Sequence, residues 1–340
     1  ATFLAHRADQ PADGATSELL DLWLRMSRKD VFSYSPLALA RIALLELGIG
    51  DRPHGAVDTG PLRRTVDGAI GDWGRIRDNV DNGHLDALAI VTTAASSGRT
   101  VVWVDGGEPR AAGSRQLPEL DLKKGVEYRA AVGRIGVEHV LASAAIPIVF
   151  PPIEIETGLH TSEWFVDGGL RLNTPIKPAI QLGATRVAIV STDPATHAAL
   201  LPPQPRNVPD TDDLVLHALQ ALLADPLIED MWRLAGVNTL LGQGSRAGKS
   251  QIPYLFVGPR ARGLLGQQAG AVAKGLRFSE LRAFSWLLGR QGSQHEELLS
   301  YFMFDPAFFE AAAQLGKRDA RAELDRRRGK DRKLSWRTEP

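Results

Sequence analysis

Apolar residues Leu19, Leu20, Trp23 and Leu24 recur at helical spacing in TSELLDLWLRMSRKDVF, with Thr16 or Ser17 placed as N-cap. SPLALARIALLELGIG predicts a second helix, with Pro36 near its start and Gly48 near its end. DTGPLRRTVDGAIGDW predicts a third, with Pro61 in the first turn and Leu62, Val66 and Ile70 spaced four apart. The period then shortens. LDALAIVTTAA and TVVWV predict two strands joined by the tight turn SSGR. GVEHVLASAAI predicts a short buried helix stopped by Pro147, and PPIEIETGLHTSEWFVDGG predicts strand, turn and strand. IKPAIQLGA running into TRVAIVST predicts a helix followed by a buried strand, the pattern of a parallel sheet. Residues from about 210 to 315 read as mostly helical, and the charged last two dozen read as frayed. No internal repeat appears. The sum is an α/β fold with additional helices.

Composition changes this picture little, chiefly by exclusion. Forty basic and forty acidic side chains balance across 340 residues, so net charge gives no argument for nucleic acid. The absence of cysteine excludes disulfides and thiolate metal sites. No apolar run approaches the roughly 20 residues of a membrane-spanning helix. The longest, VLASAAIPIVF, is interrupted by Pro147. A cytoplasmic or peripheral membrane location therefore fits better than a transmembrane one, and nothing sets an oligomeric state. ATFLAHRAD reads as the second half of a helix, with Phe3, Leu4 and Ala5 followed by polar residues. The expectation is a chain cut at its front, by processing or by incomplete sequence.

Asp-Gly followed by Gly or Ala occurs four times, at Asp13, Asp67, Asp105 and Asp167, so the tripeptide alone carries little information. Asp13 reads as a loop residue, Asp67 as a solvated carboxylate on a helix, and Asp105 as a turn after a strand. Asp167 differs in context. It ends the strand EWFV, precedes two glycines, and leads through LRLNTP to a helix and another strand. Reactive groups of α/β sheets collect at such strand ends, and glycines allow close approach.

Other candidates are weaker. GQGSRAGKS, Gly242 to Ser250, ends like a phosphate-binding loop. Its glycines are misspaced, however, and no buried strand precedes it. HEE at His295 lacks the second histidine of a zinc protease. The basic tail has interleaved acids and reads as solvated. A Ser-His-Asp hydrolase needs Gly-x-Ser-x-Gly, which occurs nowhere in the chain. His139 reads as a core histidine and His160 as a turn residue.

The flanks of Asp167 are more specific than the tripeptide. LASAAIPIVFPPIEI, followed by WFVDGGLRLNTPIKPAIQLGATRVAIVST, resembles the second half of the patatin-like phospholipase domain. That family carries Ala-Ser-x-Ala-Ile-Pro-x-x-Phe-Pro-Pro, a short strand pair, then Asp-Gly-Gly/Ala with Asn and Pro soon after. ELLDLWLRMSRKDVF and DTGPLRRTV resemble the helices after the family's nucleophile, and YFMFDPAFFEAAAQLGKRDA resembles the closing helix of bacterial members. The resemblance implies one domain over residues 1–316 and a charged tail over 317–340.

It further implies a three-layer α/β/α fold and a lipid acyl hydrolase. The expected machinery is a Ser-Asp dyad without catalytic histidine, metal or cofactor, acting on a lipid or other ester and touching membrane lipid peripherally. Asp167 matches the family aspartate, which takes the serine proton and returns it to the leaving alcohol. The family's Gly-rich oxyanion loop and Gly-x-Ser-x-Gly elbow have no match among the 340 residues. ATFLAHRAD resembles the helix that follows the elbow. The expectation is therefore an N-terminally truncated domain that is inactive alone, since oxyanion donors are themselves worth about 3 to 4 kcal/mol. Two rivals stand beside it: a non-catalytic binding or scaffold member, and a nucleotide-binding protein using the Gly242 to Ser250 loop.

Overall fold

The computed structural model describes residues 1–33, 57–106, 126–130, 134–147, 150–158, 160–169, 176–192, 194, 230–242, 250–261, 263–275, 293–328 and 334–338. The helix expected over 35–50 lies outside them. The chain divides into two compact units, Ala1–Gly183 and Ala184–Pro340.

The first unit opens with α1 (Thr2–His6), α2 (Ala12–Arg25) and a single 3-10 turn, Arg28–Asp30. Helix α2 begins four residues before the expected cap. Pro11 immediately precedes it, and the Thr16 hydroxyl donates back to the Ala12 carbonyl at 2.7 Å, so Thr16 is an interior residue. Asp13 is correspondingly not in a loop. It stands in the first turn of α2, where a carboxylate suits the positive end of the helix dipole. Helix α3 (Gly60–Ile70) has Pro61 in its first turn as expected, and α4 (Gly74–Asp81) follows.

Strands β1 (Ala87–Ala94) and β2 (Thr100–Gly106) form the expected antiparallel pair. β3 (Val126–Ala130) pairs parallel to β2. Helix α5 (Val137–Ser143) ends before Pro147, and β4 (Ile153–Gly158) with β5 (Thr161–Asp167) makes the second hairpin. His160 stands between these two strands at φ 61°, a turn residue as expected. Helix α6 (Ile176–Gln181) closes the unit. The sheet order is β3-β2-β1-β5-β4, with β1 antiparallel to both its neighbours.

Alternation along the strands sorts the core into two faces. On one, Ala94, Val101, Trp103 and Phe165 pack against Ala142 of α5, while Leu88 and Ile90 pack against Ala5 of α1 and Ile76 of α4. On the other, Val91, Val102 and Val104 pack with Leu182, just beyond α6. Helices, mixed sheet and the α6 segment make the three-layer α/β/α arrangement.

In the second unit β6 (Val187–Val190) pairs parallel to β7 (Tyr254–Val257). β7 lies inside the region read as mostly helical. Its apolar run YLFV is too short for periodicity to tell strand from helix, and pairing with β6 decides it. Helix α7 (Leu264–Ala273), α8 (Ser293–Phe302) and α9 (Pro306–Arg327) follow. Asp305 caps α9 by accepting from the Ala307 amide at 2.9 Å.

The described residues of the tail are not frayed. α9 runs to Arg327, and beyond it the Arg337 and Tyr254 backbones exchange two hydrogen bonds of 2.8 Å. Arg337 also reaches the buried Glu323 carboxylate at 2.9 Å, beside Arg327 at 3.0 Å. An interleaved acid that looked solvated in the sequence is the anchor of this segment. No helix among the described residues is long and apolar enough to cross a membrane.

Candidate functional site

Phe165 of β5 is fully buried, with its ring edge-on to Trp103 at 5.2 Å, whereas Trp164 is half exposed. The two-residue period carries Asp167 to the strand's end, opposite Thr92 of β1. Its peptide is held from two sides. The Asp167 N–H donates to the Ala145 carbonyl, and the Thr93 hydroxyl donates to the Asp167 carbonyl, each at 3.0 Å. The segment after α5 thus ties directly to the strand end, which fixes where the carboxylate stands.

The next two residues set its orientation. A Cβ on Gly168 would stand 2.3 Å from the Val91 carbonyl oxygen, so only glycine fits. The Gly169 N–H donates to Asp167 Oδ1 at 2.7 Å. Oδ2 accepts no hydrogen bond from the described residues. Burial raises the Asp167 pKa from 3.8 to about 6, against the smaller opposing effect of the Gly169 N–H. One oxygen is therefore fixed, the other is unpartnered among the described residues, and proton affinity lies near neutral pH.

The other Asp-Gly aspartates do not share this arrangement. Asp105 is not a turn residue: it lies within β2, 6 % exposed, opposite Leu88. Its Oδ1 is 3.6 Å from Arg77 Nη1, and its Oδ2 is sealed without a partner. The strand continues one residue further than the Asp-Gly signal suggests because Gly106 still pairs with Ala87. Asp67 lies in α3 and accepts from the Trp73 indole at 3.1 Å. His139 is the core histidine expected. Its ring stands 4.8 Å from that of Trp103, its Nδ1 accepts from the Gly136 amide, and burial lowers its pKa.

The supports of Asp167 were not legible as such in the sequence. Ala145 and Thr93 act through backbone and hydroxyl, and Val91 through its main chain. The small-residue run SAAIP was the nearest signal, since alanines permit close backbone approach. Beside Ala145, the side chains of Leu62, Leu141, Ala144, Phe150 and Ile153 pack closely into an apolar cluster. No three His, Asp or Glu side chains converge as metal ligands among the described residues. Residues 243–249 of the GQGSRAGKS loop and the His295 side chain lie outside the described residues.

A mixed sheet between helical layers, with a buried aspartate of raised proton affinity at one strand end, defines an α/β protein with a candidate site at that end. The family model for patatin-like phospholipase matches residues 1–180, and the chain belongs to that family. No curated protein and no solved structure matches the chain significantly. The family is one of lipid acyl hydrolases, and its model spans the five-stranded sheet and Asp167.

Proposed function

We propose that this chain carries the proton-transfer half of a Ser-Asp dyad for hydrolysis of lipid carboxylic esters, with Asp167 as the general base. The observation that carries the proposal is the state of its carboxyl. Oδ1 is tied to the Gly169 N–H, Oδ2 has no partner among the described residues, and the pKa is raised to about 6. Such a group is mostly ionised at neutral pH yet retains enough proton affinity to act in both directions.

In the proposed reaction the serine hydroxyl adds to the ester carbonyl while its proton passes to Asp167. The tetrahedral adduct then expels the alcohol, which leaves with that proton, and an acyl-serine remains. Water adds next, again losing a proton to the carboxylate, and the acid departs as the serine is restored. The serine of this dyad is proposed to lie outside these 340 residues, which hold no Gly-x-Ser-x-Gly, so the chain alone is expected to be inactive.

The test is hydrolysis of a short-chain aryl ester by the protein joined to the coding sequence ahead of Ala1. Activity that falls about 100-fold or more in Asp167→Asn is the expected result. An upstream sequence without Gly-x-Ser-x-Gly, or equal activity in Asp167→Asn, overturns the reading. The first of these outcomes favours a non-catalytic member of the family.

A further inference from the structure

Thr92 of β1 stands opposite Asp167 in the pairing with β5. The Ala95 amide donates to the Trp164 carbonyl at 2.8 Å, which marks a hydrogen-bonded position of this antiparallel ladder. Bonded and non-bonded positions alternate, so Thr92 and Asp167 form a non-bonded pair. Side chains approach most closely there, with facing Cα atoms about 4.5 Å apart. The two also share a face of the sheet. Asp167 follows Phe165 by two residues, and Thr92 meets Trp103, whose ring packs edge-on to Phe165.

Thr92 is fully buried, and its hydroxyl is only half used. The Trp103 indole N–H donates to Thr92 Oγ1 at 2.9 Å, which makes the oxygen an acceptor and turns its own proton elsewhere. The Val101 carbonyl lies at 3.5 Å, the far limit of a hydrogen bond. That carbonyl already has a donor. Counted from the Ala94 amide, which donates to the Arg99 carbonyl at 2.9 Å, Thr92 and Val101 are a bonded pair of the β1–β2 ladder. A buried donor without a good acceptor thus faces a carboxyl whose Oδ2 accepts no bond from the described residues.

No charge acts on Asp167. His139 of α5 and Arg129 of β3 lie against the Trp103 ring, at 4.8 Å and 5.9 Å, and neither alters the proton affinity of the carboxyl. Burial and the Gly169 amide set that affinity, which leaves a neutral hydroxyl as the nearest group able to tune it.

We propose that Thr92 is a positioning residue for Asp167, its hydroxyl, oriented by the Trp103 indole, donating to Oδ2 of the ionised carboxylate. Gly169 and Thr92 then hold one oxygen each and fix the carboxylate plane, while Thr93 holds the Asp167 carbonyl. Oδ2 keeps a second lone pair for the incoming proton. When the carboxyl is protonated, the hydroxyl turns back toward the Val101 carbonyl, so its proton has an acceptor in both states. This role rests on the reading of Asp167 as general base.

The experiment is a carboxyl-carbon NMR titration of the 340-residue chain, with the Asp167 signal assigned by its absence in Asp167→Asn. Thr92→Val keeps the side-chain shape and removes the hydroxyl. It is expected to raise the proton affinity of Asp167 about tenfold, because a bond to the charged form is lost. Thr92→Ser is expected to titrate as the parent. Ile90→Val trims the same face of the same strand and is expected to lower stability while leaving the titration in place. A Thr92→Val titration identical to the parent's overturns the inference and leaves Thr92 as a partner for the indole alone. An equal rise in Thr92→Ser or in Ile90→Val also overturns it. One arm needs no tuning variant: the Trp103 indole N–H signal of the parent is expected to move with the Asp167 midpoint through the shared hydroxyl. A signal constant through that midpoint counts against the proposal in the same way. No arm reads turnover. Full activity of Asp167→Asn in a serine-bearing protein would remove the general base and leave the titration result standing, so the two failures are distinct.

Discussion

Gly168 lies directly on the backbone of Val91: a Cβ there would stand 2.3 Å from the Val91 carbonyl oxygen and 2.6 Å from its carbon. Both contacts are main chain of a central strand, so neither can swing aside. Gly168→Ala is expected to force β5 away from β1 and to cost about 1–3 kcal/mol, the range of overpacked sites. A urea unfolding midpoint equal to the parent's would show that the strands separate without cost.

The Asp167 pKa makes a prediction about stability with a definite sign. The folded carboxyl, at about 6, holds its proton more tightly than an unfolded one at 3.8. The folded state therefore binds more protons between these values, and stability falls as pH rises through the window. At pH 7 the cost approaches about 3 kcal/mol. Asp167→Asn removes it, so the variant should be the more stable protein above pH 6, with the advantage fading toward pH 4. Parallel stability curves for the two proteins across this range would contradict the burial effect.

Asp105 offers the contrast. It shares the Val-Asp-Gly-Gly context in sequence but stands inside β2, beside Arg77. In an active, serine-bearing protein, Asp105→Asn should leave kcat of the folded fraction within about threefold of the parent, since it touches no reacting group. Asp167→Asn should abolish the acidic limb of kcat/KM near pH 6 together with most of the rate. Loss confined to Asp105→Asn would place the base on the wrong strand.

His139 contributes in the opposite sense to Asp167. Burial is the largest effect and lowers its pKa, while the Glu138 and Asp105 carboxylates pull weakly upward. An unfolded histidine takes its proton first as pH drops, so stability is complete above about 6.5 and declines below it. His139→Phe should flatten this acid decline. An unchanged slope below pH 6 would show that the ring is protonated in the folded protein.

Glu323 holds the C-terminal segment through Arg327 and Arg337. Glu323→Ala leaves these guanidinium groups facing one another without a counter-charge, and a loss of about 3–5 kcal/mol is expected. Thermal unfolding measures it. A melting temperature unchanged from the parent would mean that water solvates the arginines equally well.

Much of the first unit was legible because its signals are local. Pro61 marks the start of α3, the β-rich runs around SSGR mark β1 and β2, and Pro147 follows the end of α5. The failures have a common form. Thr16 was a good cap by residue type, but Pro11 started the helix earlier and left the hydroxyl to bond inside it. Asp105 looked like a turn residue, but pairing with β1 carries the strand on through Gly106. β7 was hidden because four apolar residues have no readable period until a partner strand fixes them.

The sequence by itself determined the family, through the text on both sides of Asp167, and singled that aspartate out from three others with the same tripeptide. It did so because a motif of this length records a whole strand, turn and helix at once. Only the tertiary structure decided why the glycine after it is needed, since the reason is the backbone of Val91 and not the bend of the chain. The proton affinity of Asp167 was likewise decided by burial against elements distant in sequence, which no local pattern encodes. The charged tail shows the same division. Its acids and bases are plain in the sequence, but which of them face inward depends on what α9 packs against.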